Sequence, residues 1–102
     1  MITKLAFVAH PTRDIAAMRT FLGQTLGLKN TANYADMWSE FDTPDGKSIA
    51  CDGFSPEGTL PYVALETDGI EAEVARRKDK GVTVLKDVGD NGSGKMAIVA
   101  DP

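Results

Sequence analysis

The chain has 102 residues, 42% hydrophobic and 25% charged, which suffices for one folded domain with a modest core and leaves no room for a second independent one. Eleven Lys and Arg against fifteen Asp and Glu give a net charge of -4, a balance that disfavours phosphate backbones and anionic lipid and so argues against nucleic acid or a membrane surface as partner. The opening MITKLAFVAH lacks the apolar core and cleavage site of a secretory signal, no apolar run reaches the roughly 18 residues of a membrane span, and a single cysteine, Cys51, excludes an internal disulfide, so the expected location is the cytoplasm.

Residues 3–9, TKLAFVA, alternate as a strand with Leu5, Phe7 and Ala9 on one face and Ala6 and Val8 on the other, a pattern for a strand covered on both sides; Pro11 ends it. Asp14 is suited to cap a helix, because its carboxylate can accept from the free amides of the first turn. Ile15, Met18, Phe21, Leu22 and Leu26 follow at helical spacing, and Gly27 stops the helix in the left-handed C′ position. After an extended stretch near 28–31, residues 34–41 alternate, DTPDG turns the chain, and 47–52 returns, which predicts a hairpin. FSPEGTLP reads as a connection and 62–67 as a strand. Asp68 is expected to cap a second helix, with Glu71 three residues on in an acidic variant of the capping box, Ile70 and Val74 facing inward and Gly81 at the end. Residues 82–88 predict a strand, GDNGSG a mobile loop, and 96–100 the last strand.

These elements repeat. LAFVAHPTRDIAAMRTFLGQTLGL and PYVALETDGIEAEVARRKDKGV share a strand, an acidic residue, Ile, a helix and a terminating Gly, at an offset of about 55 residues. The expected fold is α+β: a single domain over 1–102 built of two βαβββ modules, about 1–54 and about 60–102, with a mixed sheet curled into a cup. Each helix would bury its apolar stripe on one side of its sheet and leave the other side for the cup. A ferredoxin-like sheet with two helices on one face is the competing arrangement, and it leaves the extra hairpin unexplained. The last strand of the second module is missing from the chain as it stands at Pro102. Either a partner subunit supplies the neighbour of that strand or further residues do.

Taken in order, HPTRDIAAMRTFLGQTLGL, the hairpin WSEFDTPDGKSIA, ALETDGIEAEVARRKDKGV and the ending AIVADP resemble the vicinal oxygen chelate superfamily, which includes glyoxalase I, extradiol dioxygenases and bleomycin-resistance proteins. The likeness covers nearly the whole chain. It implies a dimeric or pseudo-dimeric cup in which catalytic members hold a divalent metal with His and Glu side chains, while binding-only members use the same cup without metal. In the catalytic pattern a His sits on the first strand seven residues before the acidic cap, where this chain has Phe7. A second His opens the strand before the second helix, where it has Tyr62. The third ligand, commonly Glu, follows a turn beyond the point where the chain ends. None of the three carries over, and with one His in the chain no two-His site can form within a subunit.

On the period of two, Trp38 and Glu40 share one strand face, and Met37, Ser39 and Phe41 share the other. The helix-covered face should be apolar, so Met37 and Phe41 are assigned to it, and Trp38 and Glu40 point into the cup. An indole beside a carboxylate suits a flat or cationic ligand; equally, the indole could plug a small core. Phe7 and Tyr62 would give the cup an aromatic floor, or serve as plain packing. His10 is a general-base candidate whose alternative is a solvated loop residue or a cap partner for Thr12 or Asp14. Cys51 lacks a neighbouring base and reads as a small buried hydrophobe. GDNGSG lacks the Lys and Ser/Thr order of a phosphate loop, and ARRKDK is a solvated helix face with cations favourable near its C-terminus. The reading is a dimeric small-molecule binding protein with no catalytic residue, no metal and no cofactor, holding an aromatic or cationic organic ligand between Phe7, Trp38, Glu40 and Tyr62. Two others remain open: a metal-dependent lyase, isomerase or dioxygenase with atypical ligands, and a cup filled by its own side chains whose role is assembly.

Overall fold

The computed structural model describes residues 1–92 and 94–102. Among them the order is β1 (Ile2–Pro11), α1 (Ile15–Arg19), β2 (Lys29–Tyr34), β3 (Trp38–Asp42), β4 (Ser48–Asp52), β5 (Tyr62–Thr67), α2 (Ile70–Asp79), β6 (Val84–Asp90) and β7 (Lys95–Val99). Five strands form a mixed sheet in the order β2-β3-β4-β1-β5, with β1 parallel to β4, and β6 pairs antiparallel with β7 in a separate two-stranded sheet. This is an α+β fold of the glyoxalase-like kind: β1-α1-β2-β3-β4 makes one βαβββ unit, and β5-α2-β6-β7 begins the second. The chain divides into two compact units, Leu5–Leu65 and Met1–Lys4 together with Glu66–Pro102.

In the unit Leu5–Leu65, the Asp14 carboxylate accepts from the Ala17 amide at 2.9 Å and caps α1 as expected. The helix does not stay α-helical. Thr20–Thr25 is a π-helical turn, in which Leu26 N–H donates to the Phe21 carbonyl at 2.8 Å, and Gly27 at φ 75° ends it. The wider turn breaks the 3.6-residue phase. Ile15 and Leu22 therefore reach the core, while Phe21 and Leu26, which the spacing placed inward, remain 47% and 54% exposed.

The core joins Ile15 and Leu22 to Phe41 and Cys51, with Met18, Leu28 and Ile49 against it. Register explains the grouping: Ser39 faces Cys51 and Phe41 faces Ile49 across β3 and β4, so these four share the α1 side of the sheet. Gly23 lets the π-helical turn approach, since a Cβ there would stand 3.1 Å from the Phe41 ring. In β1 only Ala9 is buried, and Leu5 and Val8 are exposed, so that strand is not covered on both sides.

The expected strand over 34–41 is shorter. Tyr34 ends β2, and Ala35 and Asp36, both at φ 52°, turn the chain into β3. Two consecutive left-handed residues are the mark of a tight hairpin turn whose twist matches the strands. Met37 consequently lies in that turn, exposed, and not on the helix-covered face. Its carbonyl accepts from Gly53 N–H at 2.7 Å. A Cβ on Gly53 would meet that carbonyl at 2.9 Å and the Ile15 side chain at 3.1 Å. Gly53→Ala is therefore expected to lower stability by about 1–3 kcal/mol in denaturant titration; an unchanged midpoint would mean that the turn yields at no cost.

In the second unit, Val74 is buried and Gly81 takes φ 87° after α2. The N-cap is Gly69, without a side-chain bond. Asp68 is not the cap, because its carboxylate binds the Met1 ammonium group at 2.9 Å. Glu71 pairs with Lys95 at 2.5 Å in place of closing a capping box. Glu73 receives the same ammonium at 2.8 Å together with Arg76 and Arg77, and these three cations hold its carboxyl down at about 2. The basic run of α2 is thus paired, with Lys78 on Asp87 at 2.7 Å. Of the predicted loop GDNGSG, Gly89 and Asp90 belong to β6, and Ser93 lies outside the described residues.

Candidate functional site

Residues opposite one another on paired strands share a face, so register places the candidate side chains. Trp38 pairs with Asp52, Glu40 with Ala50, and Ala9 with Ala50. These alternate with Ser39, Phe41 and Cys51 under α1, and so lie on the opposite side of the sheet. There the row Ala9–Ala50 offers only methyl groups and leaves room for two large rings. Phe7 and Trp38 fill that room edge to face, with centroids 5.3 Å apart and planes at 77°, the geometry that sets a positive ring edge on a negative ring face. Both alanines are fully buried, and both rings remain half-buried.

Glu40 stands two residues from Trp38 on that face, half-buried, and its carboxylate has no side-chain partner among the described residues. Tyr62 reaches the same region from β5, where its hydroxyl donates to Asp52 Oδ2 at 2.6 Å. The structure thus brings Phe7 and Trp38 into contact and links Tyr62 to Trp38's cross-strand partner, while Glu40 shares only their face.

Asp52 is the residue that sequence reasoning passed over, noting it merely as the acid beside Cys51. It is buried and accepts four hydrogen bonds: Phe54 N–H at 2.7 Å and Ser55 N–H at 3.1 Å on Oδ1, Ser55 Oγ–H at 2.5 Å and Tyr62 O–H on Oδ2. Burial opposes its ionisation, but the bonds from Ser55, Tyr62 and the two amides outweigh that and hold the carboxyl below its ordinary range. Burial and the adjacent Asp52 anion push the Tyr62 phenol up, so it remains a neutral donor. The DGFS spacing, an acid followed two and three residues on by amides it can accept from, was the available signal. Thr12 N–H to the Asp52 carbonyl at 2.9 Å and Arg13 Nη2 to the Ser55 carbonyl at 2.7 Å tie the same loop to the end of β1.

His10 is exposed, and its Nδ1–H donates to the Pro11 carbonyl at 3.0 Å, away from Thr12 and Asp14 side chains. Cys51 is fully buried, and desolvation pushes its thiol up against the opposing field of Arg19, which leaves it un-ionised at neutral pH. A cleft of about 110 Å³ between residues 11–13 and 56–59 is small beside the roughly 300–1,000 Å³ of ordinary organic-ligand sites.

The divalent ion of catalytic vicinal oxygen chelate proteins does not fit these residues. The Phe7 ring has no donor atom and packs on Trp38, and the Tyr62 hydroxyl is committed to Asp52. No three His, Cys, Asp or Glu side chains converge in ligand geometry among the described residues, and no helix there is long and apolar enough to cross a membrane.

No curated protein matches the chain significantly. A family profile does, that of the Glyoxalase/Bleomycin resistance protein/Dioxygenase superfamily, over residues 4–102. A match of that extent, on a βαβββ unit whose sheet carries its rings opposite the helix, makes the chain a member of the glyoxalase/bleomycin resistance protein/dioxygenase superfamily.

Proposed function

We propose that this protein is a metal-free binding member of its superfamily, a cytoplasmic homodimer that holds a flat aromatic or cationic organic molecule against Phe7, Trp38, Glu40 and Tyr62 in a sheet-lined cup. The observation that carries the reading is the Phe7–Trp38 ring pair, half-exposed on the face opposite α1 with the Glu40 carboxylate beside it. A ring face attracts a cation or a second ring, and a neighbouring carboxylate adds charge pairing for an organic cation. The dimer is supported by open edges: β2 borders the five-stranded sheet, and β6 and β7 each pair on one side only among the described strands. Such edges invite pairing with another chain.

Trp38 is the single indole, so its fluorescence reports directly on the site. Titration with benzyltrimethylammonium is expected to give saturable quenching, weakened about tenfold or more by Glu40→Gln together with Phe7→Ala, given about 1–3 kcal/mol for a desolvated cation–ring contact and its charge partner. Elemental analysis of the purified protein is expected to show no stoichiometric transition metal. A bound divalent ion released only by chelator, or a fluorescence signal indifferent to the probe, would overturn the reading.

A further inference from the structure

Trp38 has an aromatic neighbour on its other side. Tyr34 is its cross-strand partner on β2 and therefore projects from the same face. Phe54 follows the turn after β4, and its ring stands 6.1 Å from that of Tyr34, tilted by 42°. The turn is fixed by Asp52, itself the partner of Trp38 on β4, whose Oδ1 accepts the Phe54 amide at 2.7 Å. Tyr34 is equally anchored: Met37 N–H donates to its carbonyl at 3.0 Å, and Arg19 pairs with Asp36 of the intervening turn at 3.3 Å. Yet the two rings are 64% and 54% exposed. Single exposed apolar side chains are ordinary, but two held rings contiguous with a third make the kind of patch that marks a binding surface. Directly opposed residues on neighbouring strands have Cβ atoms about 4.5–5.5 Å apart, close to the spacing of two rings joined by a single bond.

We propose that Tyr34 and Phe54 form a second aromatic subsite contiguous with Trp38, so that the preferred ligand is an elongated molecule with two linked ring systems, one on Trp38 and one on the Tyr34–Phe54 pair. The inference rests on the binding role given to Trp38 and adds the ligand's shape. The probes are benzyltrimethylammonium, with one ring, and (4-phenylbenzyl)trimethylammonium, with two, compared by Trp38 quenching. The two-ring probe is expected to bind about tenfold more tightly, since one added ring stacked on an aromatic side chain contributes about 1–3 kcal/mol. That ratio is expected to fall toward one in Tyr34→Ala and in Phe54→Ala, with circular dichroism unchanged, and to be kept in Tyr34→Phe, which retains the ring. If the two-ring probe gains nothing, or its gain survives both alanine variants, the subsite is overturned while the role of Trp38 is not. If neither probe quenches, the role of Trp38 fails and the subsite with it. Sedimentation velocity is expected to show the same assembly state for parent and variants; a dimer lost in both alanine variants would make the patch an interface between copies and overturn the subsite.

Discussion

Asp52→Ala is expected to destabilise the protein by about 3 kcal/mol or more, because it strands four donors at once. Tyr62 O–H, Ser55 O–H and the amides of Phe54 and Ser55 all lose their acceptor in a place where Asp52 itself is only 2% exposed. Each bond to a charged group is worth about 1.5–3 kcal/mol, and an unsatisfied buried donor costs about 1–3; water entering the loop recovers part of this. Asp52→Asn keeps one acceptor oxygen and is expected to lose roughly half as much. The folded carboxyl titrates below its ordinary 3.8, so its contribution is present in full above that value and is lost as pH falls below it through the folded pKa. Tyr62 has the opposite sign. Its phenol is raised above 10.0, so the associated stability is present below that pH and declines as pH rises beyond it. Guanidinium unfolding of the wild type and both variants at pH 7 and pH 3 measures the first effect: the difference between wild type and Asp52→Asn should shrink at pH 3. Ultraviolet titration of the phenol measures the second, and Asp52→Asn should bring Tyr62 down toward the ordinary tyrosine range. Equal stability of Asp52→Ala and wild type would show that the loop is held by other means.

Phe41→Ala is expected to cost about 3–5 kcal/mol, enough to consume much of an ordinary domain's stability. The ring is 3% exposed between Ile15, Leu22 and Cys51, with the π-helical turn drawn close over it at Gly23. The sheet on one side and a turn without a side chain on the other leave little that can collapse into the space, so the cavity term is retained. Phe21→Ala is the informative contrast. Helical spacing treats Phe21 and Leu22 alike as inward, but Phe21 is half-exposed, and its truncation is expected to cost no more than about 1 kcal/mol. Denaturation midpoints of the two variants measured side by side decide this; equal losses would mean that the helix runs in its α-helical phase after all.

Legible from the chain alone were features whose causes lie within a few residues: the Asp14 cap, the left-handed glycines at 27 and 81, the DTPDG turn with Gly46 at φ 82°, the strand at 62–67 and the order of the βαβββ elements. The alternation that put Trp38 and Glu40 on one face and Phe41 on the other is of the same kind, since pleating needs no partner to be read. Tertiary structure alone decided the rest. Asp68 and Glu71 are lost to their helix cap because Met1 and Lys95 offer them full positive charges from far along the chain. The π-helical turn arises where Gly23 lets the helix settle on Phe41, and Tyr34 joins Trp38's face because Ala35 and Asp36 turn the chain sooner than alternation suggests. Asp52 reads in isolation as one more acid on a strand; it becomes the centre of the site only when Ser55, Phe54 and Tyr62 converge on it. A buried charge is tolerated only with its full set of donors, and those donors are assembled by the fold, not by any short stretch of sequence.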